Sequence, residues 1–127
     1  MGLQSRIDVR PRIKKSNKAE LKLRCEPFLK WLRGRRCRLH GHRLHTCSGK
    51  VRACHVDHAG GKGASIKVSD RHAIPMCDGA HAEQTDVQGW PPFEAKYQIS
   101  AVTDAALYWR AWPARASWLA AHPEFEA

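Results

Sequence analysis

Five cysteines and eight histidines stand among 127 residues, and most of them fall between positions 37 and 81. Thiolate and imidazole are the usual protein ligands of Zn²⁺ and related soft or borderline ions. An odd cysteine count, with an N-terminus (MGLQSR) that has no apolar stretch for secretion, argues against a disulfide framework. The expected setting is a reducing, cytoplasmic one. Clustered Cys and His in such a chain read as metal ligands first. Cys25 lies outside the cluster and is expected to serve packing. His42, His45, His72 and His122 are expected to face solvent.

Charge supplies the second signal. Residues 1–53 carry 16 Lys/Arg against 3 Asp/Glu, and residues 54–127 carry 6 against 9. So uneven a distribution is the footprint of a polyanion, most simply nucleic acid. Lys14, Lys15, Arg33, Arg35, Arg36 and Arg38 are the leading phosphate-binding candidates. Lys62 and Lys67, in and just after the Gly-rich stretch AGGKGAS, are secondary ones. Binding of this kind works by charge and counterion release and reads little sequence. GGKG lacks the spacing of a nucleotide-binding P-loop. No apolar run approaches the roughly 18 residues of a spanning helix, so no membrane partner is expected.

The elements that must position these side chains follow from pattern. Length fits one small domain. Residues 1–20 form a flexible basic arm, and residues 21–127 a single domain whose core runs from about 37 to 97. Residues 19–34 begin with an extended piece. Glu26-Pro27 opens a helix that Gly34 stops. Lys50–Asp57 alternates well enough for a strand, and a second apolar piece follows at 66–76, with Pro75 just before a short helix at 77–89 ended by Gly89. Pro91-Pro92 predicts an aromatic turn. Thr103 or Asp104 caps a helix that Pro113 stops, and the helical segment continues to about 121. Trp109, Trp112 and Trp118 sit at helical spacing and are expected in the core. The order strand, Gly-rich loop, strand, helix places His55 on the first strand and His81 on the helix, with room for one ion between them.

Residues 53–97, and most specifically KVSDRHAIPMC and HAEQ, resemble the phage-associated HNH nucleases of the Ref-like kind. WLRGRRC stands where that family has a basic helix and a Cys-containing loop. The resemblance implies an α+β fold with a small ββα-metal (HNH) hairpin-helix core and flanking helices. It implies a metal-dependent endonuclease that hydrolyses DNA, in a bacterial or phage-infected cell. By position, His55 is the general base, Asp70 braces the hairpin loop through backbone hydrogen bonds, and His81 ligates the catalytic ion. Cys37, Cys47 and Cys77 match a structural Zn²⁺ knuckle. The chain departs from the family at Ala80 and at Thr85, where histidines are usual. Cys54 or Asp86 is then a candidate second ligand, and His40 a candidate fourth knuckle ligand. Cys54 with His81 would favour Zn²⁺ or Ni²⁺, whereas Asp86 with His81 would admit Mg²⁺ or Mn²⁺. The rival expectation is a zinc-stabilised DNA-binding module that has lost cleavage. A third is a basic interaction protein without metal.

Overall fold

The computed structural model describes residues 21–59 and 68–126. The N-terminal arm with Lys14 and Lys15, and the Gly-rich loop with Lys62 and Lys67, lie outside the described residues. Helix α1 (Glu26–Arg33) has Pro27 in its first turn and ends at Gly34, as expected, and buries Phe28, Leu29 and Leu32. Residues 21–23, expected to be extended, are helical.

Strands β1 (Val51–His55) and β2 (Ala73–Cys77) form a two-stranded antiparallel sheet with Val51 opposite Cys77 and His55 opposite Ala73. Successive side chains of a strand point to opposite faces. Cys54, Val56, Ile74 and Met76 therefore join a core with Trp90, Phe93 and Tyr97, while Ala53 and Ala73 meet a second core of Phe28, Leu32, Trp109 and Trp112. Both faces are covered, so all of β2 is buried. Pro75 lies within β2 rather than just before the helix. It removes one ladder donor, and its carbonyl accepts from the Arg38 N–H at 2.7 Å, tying on the loop after α1.

Helix α2 (Asp78–Ala82) continues directly from β2 and passes into a π-helical turn (Glu83–Gln88). Gly89 ends it with φ +77° and an N–H donated to the Gln84 carbonyl at 2.8 Å. The expected turn at Pro91-Pro92 is instead the start of helix α3 (Trp90–Tyr97). Proline in a first helical turn sacrifices no helical hydrogen bond, which is why the pair is tolerated there. Helix α4 (Ala101–Ala111) is capped by Ser100, whose Oγ accepts from the Thr103 N–H at 3.3 Å, so the cap lies upstream of the expected Thr103 or Asp104. Helix α5 (Arg115–Ala121) follows Pro113. The three C-terminal tryptophans pack in or against the second core. The fold class is α+β, with hairpin and helix in the expected order. Among the described residues no helix is long and apolar enough to cross a membrane.

Candidate metal centre and the His55–Asp70 pair

Three segments converge at the Val51–Cys77 end of the hairpin. Cys37 follows α1, where the Arg38 amide reaches Pro75 and the Arg38 guanidinium holds Asp104 at 2.7 Å. The chain then winds back through consecutive turns, with His42 N–H on Leu39 O and His45 N–H on His42 O. Residues 48–50 are stitched to the start of α2. The Gly79 N–H donates to Ser48 O at 3.2 Å, the Lys50 N–H donates to Asp78 Oδ2 at 3.0 Å, and Arg52 pairs with Asp78.

The ligand atoms of Cys37, His45, Cys47 and Cys77 all lie within 4.8 Å of one another. A tetrahedral Zn²⁺ with Zn–S of about 2.3 Å and Zn–N of about 2.0–2.1 Å needs donors roughly 3.5–3.8 Å apart. His45 Nε2 stands 3.4 Å from Cys77 Sγ, within that scale. Two sulfurs already receive backbone amides, Leu39 N–H on Cys37 Sγ and Ala80 N–H on Cys77 Sγ, each at 3.4 Å. Such bonds stabilise the anionic sulfur that a metal needs. Burial opposes ionisation of Cys77, yet the Ala80 and Ser48 amides, His45 and Cys37 prevail and bring its thiol down to about 6. Cys47 is pushed up to about 12 by lost hydration and then by its neighbours Cys37 and Cys77. Crowded thiols of this kind cannot all ionise without a cation among them. The donor set therefore fits a structural Zn²⁺.

His45 and not His40 completes the group, which corrects the expected fourth ligand. The reversing turns at 39–45 carry His45 back over Cys77, whereas His40 is exposed. His42 also differs from expectation. It is half-buried, with Nε2 on Tyr97 O at 3.1 Å and Nδ1 accepting from the Leu44 N–H at 3.1 Å. His72 and His122 are likewise half-buried. Glu83, unremarked in the sequence, ties the π-helical turn to α3. It accepts from Tyr97 Oη at 2.6 Å and from Lys96 Nζ at 2.7 Å.

Gly49 holds the loop in place by close approach. Its φ is +80°, and a Cβ built there would fall 2.6 Å from Asp78 Cβ. Gly49→Ala is expected to cost about 1–3 kcal/mol and to weaken zinc retention, since Cys47 sits two residues away. Thermal unfolding with and without added zinc measures both effects.

At the other end of β1, His55 Nε2 meets Asp70 Oδ1 at 2.8 Å. Asp70 Oδ2 accepts from the Cys25 N–H at 2.7 Å, and the Asp70 N–H donates to Leu23 O at 2.8 Å. Asp70 thus braces the segment before α1, and at the same time it orients His55. Burial pushes its carboxyl upward. Hydrogen bonds from His55 and the Cys25 amide, with the charges of His55 and Arg24, outweigh that and hold it below the usual carboxylate range. The Asp70 side chain is 7% exposed and that of His55 36%, so the carboxylate is shielded while the imidazole reaches water.

The pleat decides what His55 can share with α2. Ala80 of α2 packs in the core that takes Cys54 and Val56, and Cys54 Sγ lies 3.8 Å from Gln84 Oε1. His55 sits on the alternate face with Ala53, on the side of α1. Cys54 is 2% exposed, and burial, then the Asp57 charge, push its thiol up to about 12. Among the described residues Cys54 belongs to no group of three or more metal-ligating side chains, and its sulfur faces the core beside Gln84. His81 is half-buried and Asp86 exposed, and among the described residues no hydrogen bond or ion pair joins His81 to His55. His81 is the one imidazole in α2, and among the described residues it belongs to no group of three or more metal-ligating side chains.

Arg33, Arg35 and Arg36 are exposed, with Arg33 paired to Glu26 and Arg35 stacked 4.9 Å over Trp31. Arg38 is only half-exposed and committed to Asp104, so its duty is structural rather than phosphate binding. Cys25 is fully buried in the second core, as expected. No family model, curated protein or solved structure matches the chain.

Proposed function

We propose that the chain is a zinc-stabilised, metal-dependent endonuclease of the HNH kind that hydrolyses DNA phosphodiester bonds with low sequence specificity. The observation that carries this reading is the His55–Asp70 pair. A carboxylate only accepts, so the proton on Nε2 lies toward Asp70 and Nδ1 keeps its lone pair. At Nδ1 a neutral imidazole takes a proton from the attacking water, and Asp70 stabilises the imidazolium that results. A divalent ion, which the resemblance assigns to His81, would supply charge stabilisation at phosphorus and at the departing 3′-oxygen, worth several kcal/mol. Exposed Arg35 and Arg36 at the end of α1, with the basic first half of the chain, hold the backbone of the polyanion.

A second reading, a zinc-stabilised DNA-binding module without cleavage, is favoured by one observation. Cys54 is sealed against Gln84, and Thr85 donates its hydroxyl to that same Gln84 at 2.9 Å. Neither offers an ion a second ligand beside His81. Supercoiled plasmid incubated with Mg²⁺, Mn²⁺, Ni²⁺ or Zn²⁺ separates the readings. Nicking is expected with at least one ion and should fall by roughly 10²–10⁴-fold in His55→Ala. Plasmid that is retarded but uncut with every ion would support the binding module.

A further inference from the structure

We infer that the zinc loop is itself a DNA-binding element that grips duplex phosphates through Arg36, Arg43 and Lys50, an inference that rests on the nuclease reading above and deepens it. From Pro27 to Val56 the chain carries eight Lys/Arg and no Asp or Glu. Carboxylates from outside that run pair with three of the eight: Glu26 with Arg33, Asp104 with Arg38 and Asp78 with Arg52. Glu83, whose charge also feels His45, is taken by Lys96 and Tyr97. Arg36, Arg43 and Lys50 are exposed, and among the described residues their side chains make no hydrogen bond and no ion pair. Lys50 meets Asp78 only as a neighbouring charge, one that Arg52 already pairs.

The metal centre is what makes these three cations one surface. Arg36 precedes Cys37, Arg43 lies two residues before His45, and Lys50 lies three residues after Cys47. The ligand atoms of Cys37, His45 and Cys47 lie within 4.8 Å of one another. Each cation is therefore no more than about 11 Å of backbone from a ligand residue. Arg43 is fastened on both sides, by His42 on Tyr97 O at 3.1 Å and by His45 in the donor set. Lys50 is fastened by its own amide, which donates to Asp78 Oδ2 at 3.0 Å. Fixing the loop beforehand removes the ordering cost that a loose basic segment would bear on binding. Cys37 and Cys77 are buried and receive backbone amides, so sulfur charge is turned inward while the cations face water. Duplex DNA carries one negative charge per roughly 1.7 Å of axis, so such a surface meets several phosphates at once. The acid-free run is visible in the sequence, but only the fold gathers three separated cations around one donor set.

The test reads binding apart from cleavage. Affinity for a fluorescent duplex is measured between about 50 and 200 mM salt, in a His55→Ala background so that the strands stay whole. Adding Arg43→Ala is expected to weaken binding several-fold and to reduce the salt slope by about 1. Adding Arg36→Ala, Arg43→Ala and Lys50→Ala together should reduce it by about 3. Zinc content and thermal unfolding should match the parent in both variants, because the three side chains are exposed and unpaired. Arg110→Ala, which removes an exposed cation of α4 outside the loop, should leave the slope nearly unchanged. An unchanged slope in the triple variant, or an equal fall in Arg110→Ala and Arg43→Ala, would overturn the inference. Nicking that persists with His55 in place would then leave the nuclease reading intact. If no ion supports nicking by the parent chain yet the loop variants still lower affinity and slope, the nuclease reading fails and the loop stands as the phosphate contact of a binding module.

Discussion

Cys77→Ser is expected to release the metal and to destabilise the protein by about 4–5 kcal/mol or more, a size that points to a lost metal site rather than a lost contact. Cys77 ends β2, opens α2 and accepts the Ala80 amide, so it joins the hairpin, the helix and the 37–47 loop at one atom. Serine is a poor zinc ligand, and without the ion the loop is held only by Leu39, its one fully buried side chain, and by the polar contacts of Arg38 and His42. Elemental analysis should find about one zinc per wild-type chain and substoichiometric zinc in the variant. A chelator should bring the wild-type unfolding curve toward that of Cys77→Ser. His45→Ala should behave similarly, and His40→Ala should retain both zinc and stability. Zinc-free wild-type protein, or a His40→Ala variant that loses the ion, would refute the assigned ligand set.

Asp70→Asn should lower nicking by roughly 10²–10⁴-fold with little change in DNA affinity, the signature of an interaction made in the transition state. Asp70 accepts on both oxygens, from His55 on Oδ1 and from the Cys25 amide on Oδ2. An asparagine amide can accept on one side only. Whichever way it turns, either His55 loses its tautomer-fixing partner or the segment before α1 loses its anchor. The same carboxylate gives the fold a pH signature. Its folded value lies below the unfolded one, so its contribution to stability is present above the usual range near pH 4 and is lost as pH falls through the folded value. Denaturant unfolding between about pH 3 and 6 should show this decline in the wild type and a shallower one in Asp70→Asn. Equal slopes, with nicking intact, would remove Asp70 from both roles.

Local pattern carried much of the framework. The helix at Pro27, its end at Gly34, the hairpin, the helix after Cys77 and its end at Gly89 all follow from rules that act over a few residues. The same rules miss where two of them compete. Pro91-Pro92 permits a turn or a helix start, and packing of Trp90, Phe93 and Tyr97 selects the helix. Thr103 and Asp104 both suit a cap, but Ser100 takes that role because Asp104 is drawn into the interior by Arg38, 66 residues earlier in the chain.

The sequence by itself determined the kind of chemistry: residue types fix which groups can bind a soft ion, move a proton near neutrality or hold phosphate. Tertiary structure decided which copies of those groups act together. His45 rather than His40 faces the cysteines because successive turns reverse the loop. Cys54 is turned into the core and His55 delivered to Asp70 because neighbouring residues of one strand face opposite layers. Ligand and proton chemistry depend on ångström distances between segments remote in the chain, and those distances are set only when both faces of the hairpin are packed.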